Sequence, residues 1–248
     1  MPGRTPRVEV LPPESWAEAV AAALLDRLAG QPRLRLCLPT GDTPSPLYAR
    51  LAALDAQAGL GGAWATATIV QLDEWVGLEA GDPARCDRRL RRELIDRLAP
   101  QPRFVRADVD ADDPDEAAAR LDLDARRLDL AVLGLGMNGH VGFNEPGSAP
   151  DSPTRLVRIA ARSREAAVAR YGAARIPTAG ITIGLARLLE AEEVWLLVTG
   201  ERKAPILRRT LAGPEGPDCP ATWLRRHQRL TVFADEHAAA ALTDSRRS

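Results

Sequence analysis

The sequence predicts an α/β protein: a Rossmann-like, mostly parallel sheet with helices on both faces, in a single domain spanning residues 1–248. Three observations predict it. Short, nearly continuous apolar runs recur along the chain, each apolar enough to be buried on both faces, as strands inside a parallel sheet are. Helical patterns separate several of these runs, which is the alternation that places helices on the two sides of a sheet. The length of 248 residues falls within the range in which α/β folds form one domain around one core.

Ser15 followed by Glu18 reads as a capping box opening an apolar-periodic helix that runs to about Leu28, with Gly30 at its end. A strand follows at 34–38, then the polar segment Thr40-Gly41-Asp42-Thr43-Pro44, then a helical pattern from Ser45 to about Leu54 with Leu47, Leu51 and Leu54 on one face. Further strands are read at 68–72, 130–133, 180–184 and 194–198, and helices near 84–98, 114–127 and 202–211. About thirty residues, mostly one helix, precede the first strand on this reading. The segment 213–220 is rich in Pro and Gly and reads as a loop, and the last few residues as a frayed tail.

Composition narrows the function classes. The formal net charge is -1 with 27% charged residues, so no basic excess exists to hold a nucleic-acid backbone or an anionic membrane, and the arginine-rich helices read as solvated faces. No stretch approaches the roughly 18 apolar residues of a membrane span, and the N-terminus lacks a signal-peptide core, so a soluble cytoplasmic protein is expected. Three cysteines, Cys37, Cys86 and Cys219, are odd in number and widely spaced without a CxxC pair, which argues against a disulfide framework and a zinc site.

Three polar loops directly follow predicted strands and therefore share one edge of the sheet, the edge where open α/β sheets collect ligands. The first can aim backbone N–H groups and the Thr43 hydroxyl at an anion on the positive end of the following helix, which suits a phosphate. Asp42 sits awkwardly there, since a carboxylate repels a phosphate: either it faces outward as an N-terminal cap or it weakens binding. Lys203, in Thr199-Gly200-Glu201-Arg202-Lys203, can reach the same ligand from the first turn of its helix. The second loop carries Asp73 and Glu74 at a strand terminus. Neighbours on a strand face opposite ways, so at most one points into the cleft, where a carboxylate is well placed as a general base. The third, 133–147, places three glycines before His140 and makes a His140–Glu145 pair possible across the loop. The remaining histidines, His227 and His237, lie near the far end, which excludes a three-histidine metal site close in sequence.

Four motifs then resemble the glucosamine-6-phosphate deaminase (isomerase) family in its own order, from about Leu34 to Phe233: Leu38-Pro39-Thr40-Gly41-Asp42-Thr43-Pro44, Leu72-Asp73-Glu74-Trp75-Val76-Gly77-Leu78, Gly134 through Glu145-Pro146-Gly147, and Leu197-Val198-Thr199-Gly200-Glu201-Arg202-Lys203-Ala204. The resemblance implies an enzyme that deaminates a 2-amino-2-deoxyhexose 6-phosphate without metal or organic cofactor. Its partner is then a small-molecule sugar phosphate, with neither nucleic acid nor membrane involved and self-association left open. It implies that Asp73 moves a proton between C2 and C1, and that His140, supported by Glu145 and with a role for Asn138, opens the pyranose ring. It further implies phosphate contacts at Gly41, Asp42 and Thr43, at Lys203, and at Arg170 just before Tyr171. A matching effector site would use Ser148 and Thr154-Arg155, but Val157 stands where a lysine is needed, so allosteric control is not expected.

Several readings stay open. The runs 133–136, 180–185 and 220–222 also resemble galactosamine-6-phosphate deaminases, whose substrate differs only at C4. A 6-phosphogluconolactonase would share fold and phosphate loop, but its pattern resembles Gly-His-Thr-Ala-Ser where this chain has Gly139-His140-Val141-Gly142-Phe143. A non-catalytic sugar-phosphate sensor would need a DNA-binding domain, and the residues before the first strand leave no room for a helix-turn-helix.

Overall fold

A computed structural model describes residues 5–31, 33–58, 61–171 and 177–243. In chain order it contains β1 (Arg7–Leu11), α1 (Pro13–Gly30), β2 (Arg35–Leu38), α2 (Pro44–Ala58), α3 (Gly61–Thr66), β3 (Thr68–Gln71), β4 (Asp73–Val76) and α4 (Cys86–Glu93). After a 3-10 turn at Ile95–Arg97 come β5 (Arg103–Val105), α5 (Pro114–Asp124), β6 (Leu130–Gly134), β7 (Arg155–Arg158), α6 (Ala161–Tyr171), β8 (Ala179–Thr182), α7 (Leu185–Leu189) and β9 (Glu193–Val198). A 3-10 turn at Glu201–Lys203 leads into α8 (Ala204–Ala212), and another at Pro220–Arg226 precedes β10 (Leu230–Asp235) and α9 (Glu236–Thr243). The tail expected at the C-terminus falls largely on 244–248, outside the described residues.

Seven strands form one parallel sheet in the order β1-β10-β9-β6-β2-β3-β5. Alternation along each strand feeds two cores. Leu36 and Leu38 of β2 and Leu130 and Val132 of β6 pack with Trp16, Val20 and Leu24 of α1 on one face. Cys37, Ala131 and Leu133 pack with Leu121 of α5 and Leu207 of α8 on the other. Both faces are covered, which is why these strands read as unbroken apolar runs. Each fully buried leucine contributes about 1.5–3 kcal/mol.

The strand order turns at β2. From there the chain moves outward through β3 to β5, then returns through α5 to β6 on the other side of β2. The loops leaving β2 and β6 therefore diverge at this switch point, the place at the carboxyl ends of the strands where open α/β sheets bind their ligands.

Four expectations are corrected. The run at 180–184 belongs to a separate three-stranded sheet, β4-β8-β7, with antiparallel pairs, not to the parallel sheet. An edge strand, β1, precedes the first helix. That helix begins at Pro13 with Pro12 at its cap, and Ser15 Oγ donates back to the Pro12 carbonyl at 3.3 Å, so Ser15 does not cap it. Finally, the arginine-rich segment around α4 is not a solvated face throughout, because Arg85 and Arg89 are buried.

Candidate active site

Contacts between side chains and backbone bind the loops at the carboxyl edge to one another. Thr199 Oγ1 donates to Thr43 Oγ1 at 3.3 Å, joining the turn after β9 to the turn after β2. Lys203 Nζ donates to the Leu135 carbonyl, joining the same turn to the loop after β6. That loop meets the small sheet where Phe143 N donates to Thr182 Oγ1 at 3.2 Å. Thr182 in turn pairs across the sheet with Asp73. Three separately read loops thus become one site.

The loop after β6 is a compact turn built for its histidine. Gly136 N donates to the His140 carbonyl at 2.9 Å and Gly139 N to the Gly136 carbonyl at 3.0 Å. Gly139 has φ of 84°, a conformation glycine adopts without strain. Gly136 is required for a different reason: a Cβ there would fall 2.3 Å from His140 Cδ2. Across the loop, His140 Nδ1 lies 3.4 Å from Glu145 Oε2, and Asn138 Nδ2 donates to the same oxygen at 2.8 Å. Asn138 Oδ1 accepts from His140 N at 3.2 Å, so the amide braces both members of the pair. Burial raises the Glu145 carboxyl, but hydrogen bonds with His140, Ser163 and Asn138 outweigh it and hold the group below its ordinary range. An ionised Glu145 favours the His140 tautomer with its proton on Nδ1, which frees Nε2 to exchange a proton with a ligand.

Asp73 and Glu74 face opposite ways, as strand alternation requires, and their surroundings separate their roles. Glu74 is fully buried and takes four donors. Trp75 N and Cys86 N reach Oε1 at 2.8 and 2.9 Å, while Gln71 Nε2 and Asp87 N reach Oε2 at 2.8 and 2.7 Å. A carboxylate so saturated has no lone pair left for chemistry. Asp73 is 8% exposed and lacks such bonds among the described residues. Burial, with repulsion from Glu74 added, pushes its carboxyl up to about 7. At neutral pH it is poised both to accept a proton and to return it.

At the proposed phosphate end, Gly41 has φ of 147° and Gly200 has φ of 89°, both in the region that favours glycine. The Gly41 carbonyl accepts from Ser45 Oγ at 2.7 Å and from Arg89 Nη2 at 2.8 Å. Gly200 N is held by both oxygens of Asp235, at 3.0 and 2.9 Å. The Asp42 side chain is 81% exposed and lies 3.7 Å from Arg89 Nη2, which favours the outward-facing alternative over a phosphate contact. Lys203 stands in the 3-10 turn just before α8 rather than within that helix. Arg170 falls in the last turn of α6, and its side chain lies outside the described residues.

The effector-like residues are engaged internally. Arg155 donates to Asn144 Oδ1 at 3.1 Å and to Ser148 Oγ at 3.0 Å, and Thr154 Oγ1 accepts from Gly184 N at 3.3 Å. Sequence reasoning missed Ser163, whose Oγ lies 3.4 Å from His140 Nδ1, as well as Arg89 and Asp235 behind the phosphate turns. Only Asp235 left a signal, as an acid closing an apolar strand in the manner of Asp73. Among the described residues no group of three or more His, Cys, Asp or Glu side chains is placed to hold a metal ion. No helix there is long and apolar enough to cross a membrane.

Residues 13–233 match the family model described as glucosamine-6-phosphate isomerases/6-phosphogluconolactonase. A glucosamine-6-phosphate deaminase from Rhodopirellula baltica is 36% identical, with 96% of each chain covered. Another from Streptomyces avermitilis is 37% identical over 94% of this chain and 92% of its own. A solved structure of a monomeric glucosamine-6-phosphate deaminase superposes with a TM-score of 0.90 at 29% identity, covering 95% of this chain and 99% of that one. A 6-phosphogluconolactonase from Trypanosoma cruzi superposes with a TM-score of 0.76 at 20% identity, a likeness of fold alone.

Proposed function

The chain belongs to the glucosamine-6-phosphate isomerase/6-phosphogluconolactonase family, and from that premise we propose that it converts glucosamine 6-phosphate and water to fructose 6-phosphate and ammonia. The observation that carries this reading is Asp73, a buried carboxyl just past the end of β3 at the carboxyl edge of the sheet, pushed up to about 7 by burial and by Glu74. A lactonase has no carbon-bound proton to move and no use for such a group. The deaminase relatives, which span nearly the whole chain, support the same branch.

On this reading the phosphate sits against the turns at Gly41, Thr43 and Lys203, with Arg170 reaching it from α6, and Asp42 stays outside. His140, oriented by Glu145 and Asn138, passes a proton at the ring oxygen and opens the pyranose. Asp73 then takes the proton from C2 and returns it to C1 while a second proton passes from the amino nitrogen to O1, turning the open-chain aldose into a C2 ketimine. This isomerisation conserves every atom. Water adds to the ketimine carbon and ammonia leaves, so the overall step is hydrolysis of a C–N bond. On this reading His140 and Asp73 supply the proton transfers at the ring oxygen and between C2 and C1 without a cofactor, and we place the reaction in the cytoplasm.

The test incubates the purified protein separately with glucosamine 6-phosphate, galactosamine 6-phosphate and 6-phosphogluconolactone. Ammonia is assayed for the two amino sugars and lactone loss for the third. Ammonia released with fructose 6-phosphate is the expected result. Faster turnover of the galacto sugar moves the substrate to the C4 epimer, and lactone hydrolysis without ammonia overturns the reading.

A further inference from the structure

We propose that Glu74 is a positioning residue for Asp73: its carboxylate pins the strand that begins at Asp73 to the first turn of α4 and thereby sets where the Asp73 carboxylate stands. The inference rests on the reading of Asp73 as the base of the C2–C1 proton transfer. Its footing is geometric. The four donors to Glu74 come from three places: the end of β3 through Gln71, β4 itself through Trp75, and the start of α4 through Cys86 and Asp87. Gln71 extends the tie, because its Oε1 accepts from Ala107 N at 3.2 Å.

Both Glu74 oxygens carry two N–H donors each, a set that fits the ionised form: burial pushes the carboxyl up, and the hydrogen bonds from Asp87, Cys86 and Gln71 work against that rise. Arg85, itself buried, lies close enough to feel the Glu74 charge. It reaches Asp87 Oδ1 at 3.2 Å and Asp110 Oδ1 at 2.8 Å, beside the donors that hold Glu74. The ionisable groups around Asp73 are Cys37 of β2, Tyr48 of α2, Cys86 of α4 and Glu74 itself. Around Glu74 they are Cys86, Asp87 and Arg85. Of the groups facing Asp73, burial holds both thiols and the phenol neutral at ordinary pH, which leaves Glu74 as the charge that raises it.

Glu74→Gln keeps the shape, but in either orientation its amide nitrogen faces two N–H donors that it cannot accept. In the folded variant, kcat for ammonia release is expected to fall on the order of 10²-fold, since a base displaced by about 1 Å loses that much, with KM nearly unchanged. Removing the charge beside Asp73 also moves the acid limb of the kcat/KM profile to lower pH, a shift that loosened packing alone would not produce. Should Glu74→Gln fail to fold, Gln71→Met removes one of the four donors to Glu74, together with the acceptor of Ala107 N, and is expected to lower kcat at constant KM to a smaller degree. Activity of folded Glu74→Gln within about twofold of wild type, an acid limb that stays in place, or a Gln71→Met loss that appears in KM alone would each overturn the inference. Wild-type protein is assayed beside the variants. A wild type that releases no ammonia refutes the proposed function instead.

Discussion

Replacing Asp73 by Asn should stabilise the protein while disabling it. The carboxyl has an ordinary value of 3.8 and is raised to about 7 in the folded state, chiefly by burial. An acid whose folded value is raised binds its proton more tightly when folded, so its stabilising effect is complete below the unfolded value and is lost as pH climbs through the folded one. Three pKa units at 1.36 kcal/mol each make the ionised group a burden of about 4 kcal/mol at pH 8; at pH 5 the folded group is already neutral, and the cost of protonating a carboxyl that is ionised in the unfolded chain is about 2 kcal/mol. Asn carries no charge at either pH and is free of this burden. Denaturant unfolding of wild type and Asp73→Asn at the two pH values measures it, and comparison between them cancels any packing change common to both. The variant's advantage should be about 2 kcal/mol larger at pH 8. An advantage that is equal at both values, or larger at pH 5, refutes the placement of an ionisable carboxylate in an apolar wall. Such a trade of stability for reactivity is the usual price of an active site.

Three further outcomes are expected. Lys203→Ala removes a charge-assisted hydrogen bond worth about 1.5–3 kcal/mol, so KM for the phosphorylated sugar should rise about 10- to 150-fold; steady-state kinetics that leave KM unchanged in a folded variant move the phosphate elsewhere. Gly136→Ala places a methyl group 2.3 Å from His140 Cδ2 and forces the ring aside. Turnover of the cyclic sugar should drop on the order of 10²-fold with little change in melting temperature, and normal turnover would show that the ring position is not needed. His140→Gln should impair the cyclic sugar far more than an acyclic analogue, as coupled assays on both substrates would reveal; equal impairment contradicts a ring-opening role.

Much of the candidate site could be located before the fold was known, because the residues proposed for its chemistry sit on short segments. The strands β2, β3, β6 and β9 announce themselves as apolar runs, and each is followed at once by the polar residues it presents. Direction of pairing was not legible in the same way. The run at 180–182 is as apolar as a parallel strand, yet it pairs antiparallel with β4 and β7, and nothing in a buried strand encodes its partner. The edge strand β1 escaped notice because Val8 and Val10 are partly exposed and only five residues long is its whole span. Arg85 and Arg89 looked like surface charges because composition cannot tell a solvated arginine from one enclosed by Asp110, Glu93 and the Gly41 carbonyl. Glu74 was open for the same reason: only the fold brings the first turn of α4 to its oxygens, and that contact is what separates it from Asp73.

The measurement that bears most directly on the central claim is exchange of the C2 hydrogen with solvent, followed by NMR in deuterium oxide. Wild-type protein with glucosamine 6-phosphate should exchange that hydrogen and release ammonia. Asp73→Asn should lose the exchange and about 10²–10⁴-fold in kcat, the usual contribution of a general base. His140→Gln given an acyclic analogue should still exchange. An Asp73→Asn protein that continues to exchange the C2 hydrogen at the wild-type rate would contradict the account.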